Sequence, residues 1–191
     1  MSVALFTHTA AKRLEARATS VTFATFLAVA AIAATVDLLT KELATGLLSD
    51  GRLISLSDRI GFMLVYNTGS AGGLSIGPFT RSINVLVTML AIGMVMRVVA
   101  PLALVDARAA LPMGLLTGGA FGNLASMLAG PEGVADFLAV RVGQSAMLVM
   151  NIADVFLWTG ALLLAPVVLR LLRAIRAERR AAQALLGSGR V

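Results

Sequence analysis

Two aspartates stand where the sequence can do chemistry. Asp154 lies in Asn151-Ile152-Ala153-Asp154 and is the only charge between Val142 and Leu169. A carboxylate inside a spanning helix costs about 2.5–3.5 kcal/mol on insertion scales, so such a residue is by default a functional one. The plainer alternative is a helix-packing aspartate satisfied by hydrogen bonds. Asp136, in Val134-Ala135-Asp136-Phe137, falls shortly before this stretch, where a lone carboxylate is ordinarily just solvated. As a pair the two gain meaning. Carboxylates that meet in a low-dielectric site share one proton. One can then act as general base toward a water while the other donates a hydrogen bond to a carbonyl, which is the chemistry of amide hydrolysis by an aspartic dyad.

Elimination narrows the choice further. The chain has no cysteine and a single histidine, His8. Thiolate nucleophiles, cysteine metal sites and the two-histidine zinc motif are therefore excluded, and a histidine-based pair would have to use His8. Asp37 and Lys41 sit at i and i+4 with Thr40 beside them, a spacing that more often gives a local ion pair. A serine–lysine pair through Lys41 is possible in principle, but no serine stands at a compelling spacing from it. Gly114, Gly118 and Gly122 recur every four residues, a stripe that lets helices approach closely. Asn123 adds a polar group beside that stripe, with Gly119 on the same helix.

These residues need a scaffold, and composition points to a membrane. Of 191 residues, 58% are hydrophobic and 14% charged, with a mean hydropathy of +0.90, well below the roughly one-quarter charged share of soluble domains. With about 20 apolar residues needed per crossing, four helices are predicted at about 18–39, 82–103, 109–129 and 146–170. The first resembles a signal peptide at Ala31-Ile32-Ala33, but its uncharged stretch exceeds the about 7–15 residues of a cleaved core, so it is expected to stay. Net charge is +2 in the N-terminal segment, +1 between helices two and three and +5 in the C-terminal tail, against 0 and −2 in the other two segments. The positive-inside rule then puts both termini in the cytoplasm. A basic tail, 171–191, without stacking aromatics or a recognised fold motif argues for lipid headgroups and against nucleic acid.

On the other side lies a segment at about 41–80, where Leu53–Leu56 and Ile60–Tyr66 read as strands broken by Ser57-Asp58-Arg59. It closes on Asn67-Thr68-Gly69-Ser70-Ala71-Gly72-Gly73, which lacks the Gly-Lys-Ser/Thr ending of a phosphate loop and reads instead as a loop allowing close backbone approach. The segment at about 130–145 is expected to form a short interfacial helix. The whole is one domain, 1–191, all-α with a small sheet.

Taken in order, the motifs resemble the lipoprotein signal peptidase (signal peptidase II) family. The residues are Asp37-Leu38-Leu39-Thr40-Lys41, the Asn67–Gly73 loop, Gly118-Gly119-Ala120-Phe121-Gly122-Asn123, Val134-Ala135-Asp136-Phe137 and Asn151-Ile152-Ala153-Asp154. Each is weak alone, and their order over about 37–160 is specific. The resemblance implies four transmembrane helices with an extracytoplasmic β-cradle, in the bacterial cytoplasmic membrane. It implies cleavage of prolipoproteins before a diacylglyceryl-modified cysteine, with Asp136 and Asp154 catalytic. Asn67, Gly69, Asn123 and Asn151 would support the site or bind substrate, and Asp37 with Lys41 would stabilise the fold near the cradle. No cofactor or metal is implied, and the expected partners are lipidated substrate and membrane lipids, with the protein a monomer. Four positions depart from the family: Ser126-Met127 replace an Asp-Arg pair, Ser70 an alanine and Gly72 a phenylalanine. The Ser126-Met127 replacement motivates the alternative of a non-catalytic relative that binds lipidated chains. A proton-relay transporter module has little support, because only four helices and no inverted repeat are visible.

Overall fold

The computed structural model describes residues 2–68, 77–130, 132–144 and 146–188. Among these residues four α-helices, a short 3-10 helix at Ala107–Ala109 and one sheet make up the fold: α1 (Ser2–Leu47), β1 (Ile54–Ser55), β2 (Ile60–Asn67), α2 (Thr80–Val105), α3 (Ala110–Ala129), β3 (Val134–Val142), β4 (Ala146–Met150) and α4 (Ile152–Ser188). Among the described residues three stretches are long and apolar enough to cross a membrane, Thr19–Leu47, Thr80–Val99 and Ile152–Ala184. Their outward faces carry bare apolar side chains such as Leu90, Met94, Trp158 and Leu162, each at least 60% exposed. Such surfaces suit a hydrocarbon surround. α3 is not among the three. It lies in the middle, packed by α1, α4 and α2.

Glycine explains how α3 gets there. A methyl group on Gly114 would meet Val29 of α1 at 2.7 Å, and one on Gly118 would meet Ala33 Cβ at the same distance. One on Gly122 would collide with the Asp37 carboxylate. On the opposite side a methyl group on Gly119 would meet the Ala153 carbonyl at 2.7 Å, and one on Gly160 of α4 the Pro112 carbonyl at 2.8 Å. The regular stripe read from the sequence is thus the α1 seam, and a second pair of glycines makes the α4 seam. Away from the sheet the helices close around Phe26, Val99, Leu102, Met113 and Val167.

The sheet is four-stranded and antiparallel in the order β1-β2-β3-β4. The hairpin expected at 53–66 forms, and Ser57 Oγ accepts from the Arg59 and Ile60 amides at 3.3 and 3.1 Å to hold its turn. The short interfacial helix expected at 130–145 does not form. Val134–Val142 is instead a strand, with Ile60↔Val140 and Asn67↔Val134 pairing on one side and Leu138↔Met150 on the other. Its β-branched and aromatic residues favour a pleated, buried position, and partners on both edges satisfy its backbone. Gly133, at φ +100° and against the Asn67 carbonyl, lets the chain enter the strand, and Gly143 at φ +69° turns it into β4.

Helix bounds shift accordingly. Residues 146–150 are strand, so the last helix starts at Ile152 rather than 146, and it continues to Ser188, making most of the expected basic tail helical. The first helix extends to Leu47, so the cradle begins later than 41. Its end is fixed to the sheet through Ala44 and Leu48 against Phe137.

Replacing Gly118 by valine forces α1 and α3 apart where backbone cannot yield, and should cost about 1–3 kcal/mol. Gly93, where an added methyl would meet nothing within 4 Å, should accept alanine without loss. Thermal unfolding of both variants in one detergent checks the contrast.

Candidate active site

The end of the bundle that carries the sheet holds a chain of polar side chains. Asp37 on α1 is wholly buried, and Lys41, one turn on, reaches it with Nζ 2.6 Å from Oδ2. The other Asp37 oxygen accepts the Ala153 backbone N–H of α4 at 2.7 Å. What the sequence offers as an ordinary i, i+4 pair is therefore a clamp between two helices. Lys41 also donates to Asn123 Oδ1 on α3 at 2.7 Å. With its oxygen held by the ammonium, Asn123 turns its amide nitrogen to Asp154, donating to Oδ1 at 3.1 Å.

Asp154 owes its position to helix capping. Asn151 precedes the first helical residue, and its Oδ1 accepts the Asp154 N–H at 3.1 Å while Asp154 Oδ2 accepts the Asn151 N–H at 3.1 Å. This reciprocal pair is a capping box built from Asn and Asp. It explains the Asn-x-x-Asp spacing locally, and the positive end of the helix favours the carboxylate there. Asn151 has a second task. Its Nδ2 donates to Asp136 Oδ1 at 2.6 Å, while Asn67 Nδ2 of β2 donates to Asp136 Oδ2 at 3.2 Å. One asparagine thus holds both carboxylates, one delivered by the central strand and the other by the helix.

Asp136 is 4% exposed. Burial raises its carboxyl above the ordinary range and the neighbouring Asp154 charge adds to this, while the Asn151 and Asn67 amides and Lys41 oppose it; the result is about 6. Both carboxylates open on a groove of about 470 Å³ between α2, α3, α4 and β4, lined mainly by apolar side chains such as Val87, Met127, Leu157 and Trp158. Among the described residues no three histidine, cysteine or acidic side chains gather to hold a metal ion.

Of the residues singled out from sequence, Asp37, Lys41, Asn67, Asn123, Asp136, Asn151 and Asp154 form one connected network. Gly69, with Ser70 and Gly72, lies outside the described residues. Ser126 bonds back to the Gly122 carbonyl at 3.0 Å, and Met127 is buried. No charge replaces the Asp-Arg pair at these two positions, but the Arg81 guanidinium of α2 donates to the Met127 carbonyl. Sequence reasoning passed over Asn84 and Thr88 of α2, which line the groove one turn apart. The signal was available, since Asn84 is a polar residue inside a span.

Glycine-packed helices, a small sheet at one end and two carboxylates bridged beside an apolar groove define a membrane-embedded protein with a polar site near one end of its helices. The family model for signal peptidase (SPase) II matches residues 29–170, and the chain belongs to that family. The lipoprotein signal peptidase of Mycobacterium tuberculosis is 33% identical over 147 residues, covering 72% of this chain and 67% of that one. That of Mycolicibacterium smegmatis is 34% identical over 147 residues, covering 72% and 58%. A solved structure of a bacterial membrane enzyme superposes with a TM-score of 0.67 at 21% identity, covering 77% of this chain and 88% of its own. That likeness supports the fold.

Lys41→Met should destabilise by about 3–5 kcal/mol, because it leaves a buried carboxylate unpaired. Asp37→Asn combined with Lys41→Met should recover much of that loss. Unfolding curves of the single and double variants decide it.

Proposed function

We propose that this chain is an aspartic endopeptidase that removes signal peptides from prolipoproteins, cutting before a diacylglyceryl-modified cysteine. The observation that carries the proposal is the double grip of Asn151 on Asp136 and Asp154 at the edge of an apolar groove. The family and its lipoprotein-processing relatives supply the substrate class.

In this reading Asp136, with its raised carboxyl, keeps the shared proton and Asp154 is the base. Asp154 takes a proton from water as the oxygen adds to the scissile carbonyl. Asp136 donates a hydrogen bond to the carbonyl oxygen as charge builds there. The tetrahedral intermediate collapses when the proton on Asp154 passes to the departing amine, leaving a carboxyl on the signal peptide and a free amine on the lipidated cysteine. Acyl chains stay in hydrocarbon while the peptide reaches the dyad. The site then faces the extracytoplasmic side of the bacterial cytoplasmic membrane, both termini are cytoplasmic, and the enzyme works as a monomer.

A second reading is favoured by the uncharged Ser126-Met127: a relative that binds lipidated chains without cutting them. Purified protein in detergent, given a diacylglyceryl-modified prolipoprotein, separates the two. Cleavage before the modified cysteine should fall by about 10²–10⁴-fold in Asp136→Asn and in Asp154→Asn. Cleavage that survives both substitutions would overturn the dyad, and binding without cleavage would favour the second reading.

The raised Asp136 carboxyl also sets a pH dependence. Its proton is lost near pH 6, so kcat/KM should fall about tenfold per unit on the alkaline side of that value. Between the ordinary value of 3.8 and about 6 the folded state binds the proton more tightly, so stability declines as pH rises through that window. Asp136→Asn imitates the protonated form. It should show the same loss of cleavage yet unfold at a higher temperature than the parent at pH 7.

A further inference from the structure

The two edges of the sheet are built differently. β1 is two residues long and ends in a serine-rich turn, too short to template another strand. β4, Ala146-Met147-Leu148-Val149-Met150, is five residues long and wholly apolar, and among the described residues it pairs with β3 alone. Native sheets blunt such edges with charge, proline or a bulge, because an open apolar edge recruits a further strand. β4 has neither charge nor proline, and its pairing with β3 runs without a register shift.

Its place explains why the edge is left open. Leu148, Val149 and Met150 all line the groove that holds Asp136 and Asp154. Side chains of a strand alternate between its faces. Leu148 and Met150 share a face of the sheet with Val134 and Asp136, which also line the groove, and Val149 comes from the alternate face, so the groove covers that face and reaches the open edge of β4. β4 leads directly into Asn151, which grips both carboxylates. Asn84 and Thr88 of α2 also line the groove, and α2 and α4 each pack on α3 more than on each other.

We propose that the open edge of β4 positions the substrate: the extended stretch of prolipoprotein before the scissile bond adds to the sheet as a fifth strand. This rests on the peptidase reading above. A peptide bond must lie in extended chain to be attacked, and beside hydrocarbon each exposed N–H and C=O of that chain needs a partner. A strand edge supplies those partners through main-chain bonds, whatever the side chains. Signal peptides of differing sequence are thereby held in one register, with the scissile bond delivered beside Asn151.

The test uses diacylglyceryl-modified peptides carrying one N-methyl group at successive positions before the cleavage site. kcat/KM is measured with the parent protein and Kd with Asp154→Asn. Strand pairing predicts alternation, a loss of roughly five- to tenfold at every second position and little between. Uniform loss, or none, overturns the proposal. If the unmethylated peptide binds without being cut, the peptidase reading falls alone and the alternation is read from Kd. If it neither binds nor is cut, both fall.

Discussion

A carboxylate with no exposed surface, set in a membrane-spanning helix, has to have its oxygens occupied or the helix will not stay where it is. Asp37 meets that demand by taking one bond from its own helix, at Lys41, and one from the backbone of α4, at Ala153. Gly122 of α3 leaves the room that the Asp37 carboxylate occupies between these helices. Three helices are therefore fixed relative to each other at one residue. Lys41 then has a donor to spare, which orients Asn123, and Asn123 in turn addresses Asp154. The site begins as the solution to a burial problem.

Apolar packing and polar bonding divide the labour here. Glycine contacts set how close the helices come, since hydrocarbon drives no hydrophobic association between them. The polar chain sets rotation and depth, because each bond admits only a narrow range of geometry. The Phe26–Val99–Met113–Val167 cluster secures the far end. Arg170, 3.4 Å from Asp106, adds only an exposed contact there.

Much of this was legible in the sequence because the chemistry tolerates few residue types. A buried aspartate, a capping asparagine and a glycine against a carboxylate leave marks at fixed spacing. The strands left fainter marks. Val134–Val142 is apolar on both faces near its start, so it shows no clean alternation, and Asp136 reads there as an ordinary loop residue. Ala146–Met150 runs almost unbroken into the apolar face of α4, and only Asn151 marks the boundary. Hydropathy cannot divide such a stretch, whereas the capping box of Asn151 and Asp154 can. Asn84 was lost for the opposite reason: a single amide in a long apolar helix barely registers in composition, although its cost in lipid singles it out.

One junction limits how the chain can vary in length. Met150 ends the sheet, Ile152 opens the helix, and Asn151 alone stands between them, bonded to both aspartates. A residue inserted there would turn Asp154 about 100° around the axis of α4 relative to the strand. A residue inserted at the Gly143-Gln144 bend lengthens a turn that touches neither carboxylate. Insertions and deletions among natural variants of this chain should accordingly gather at the bend and be missing at the junction, a ruler written into the gaps of an alignment.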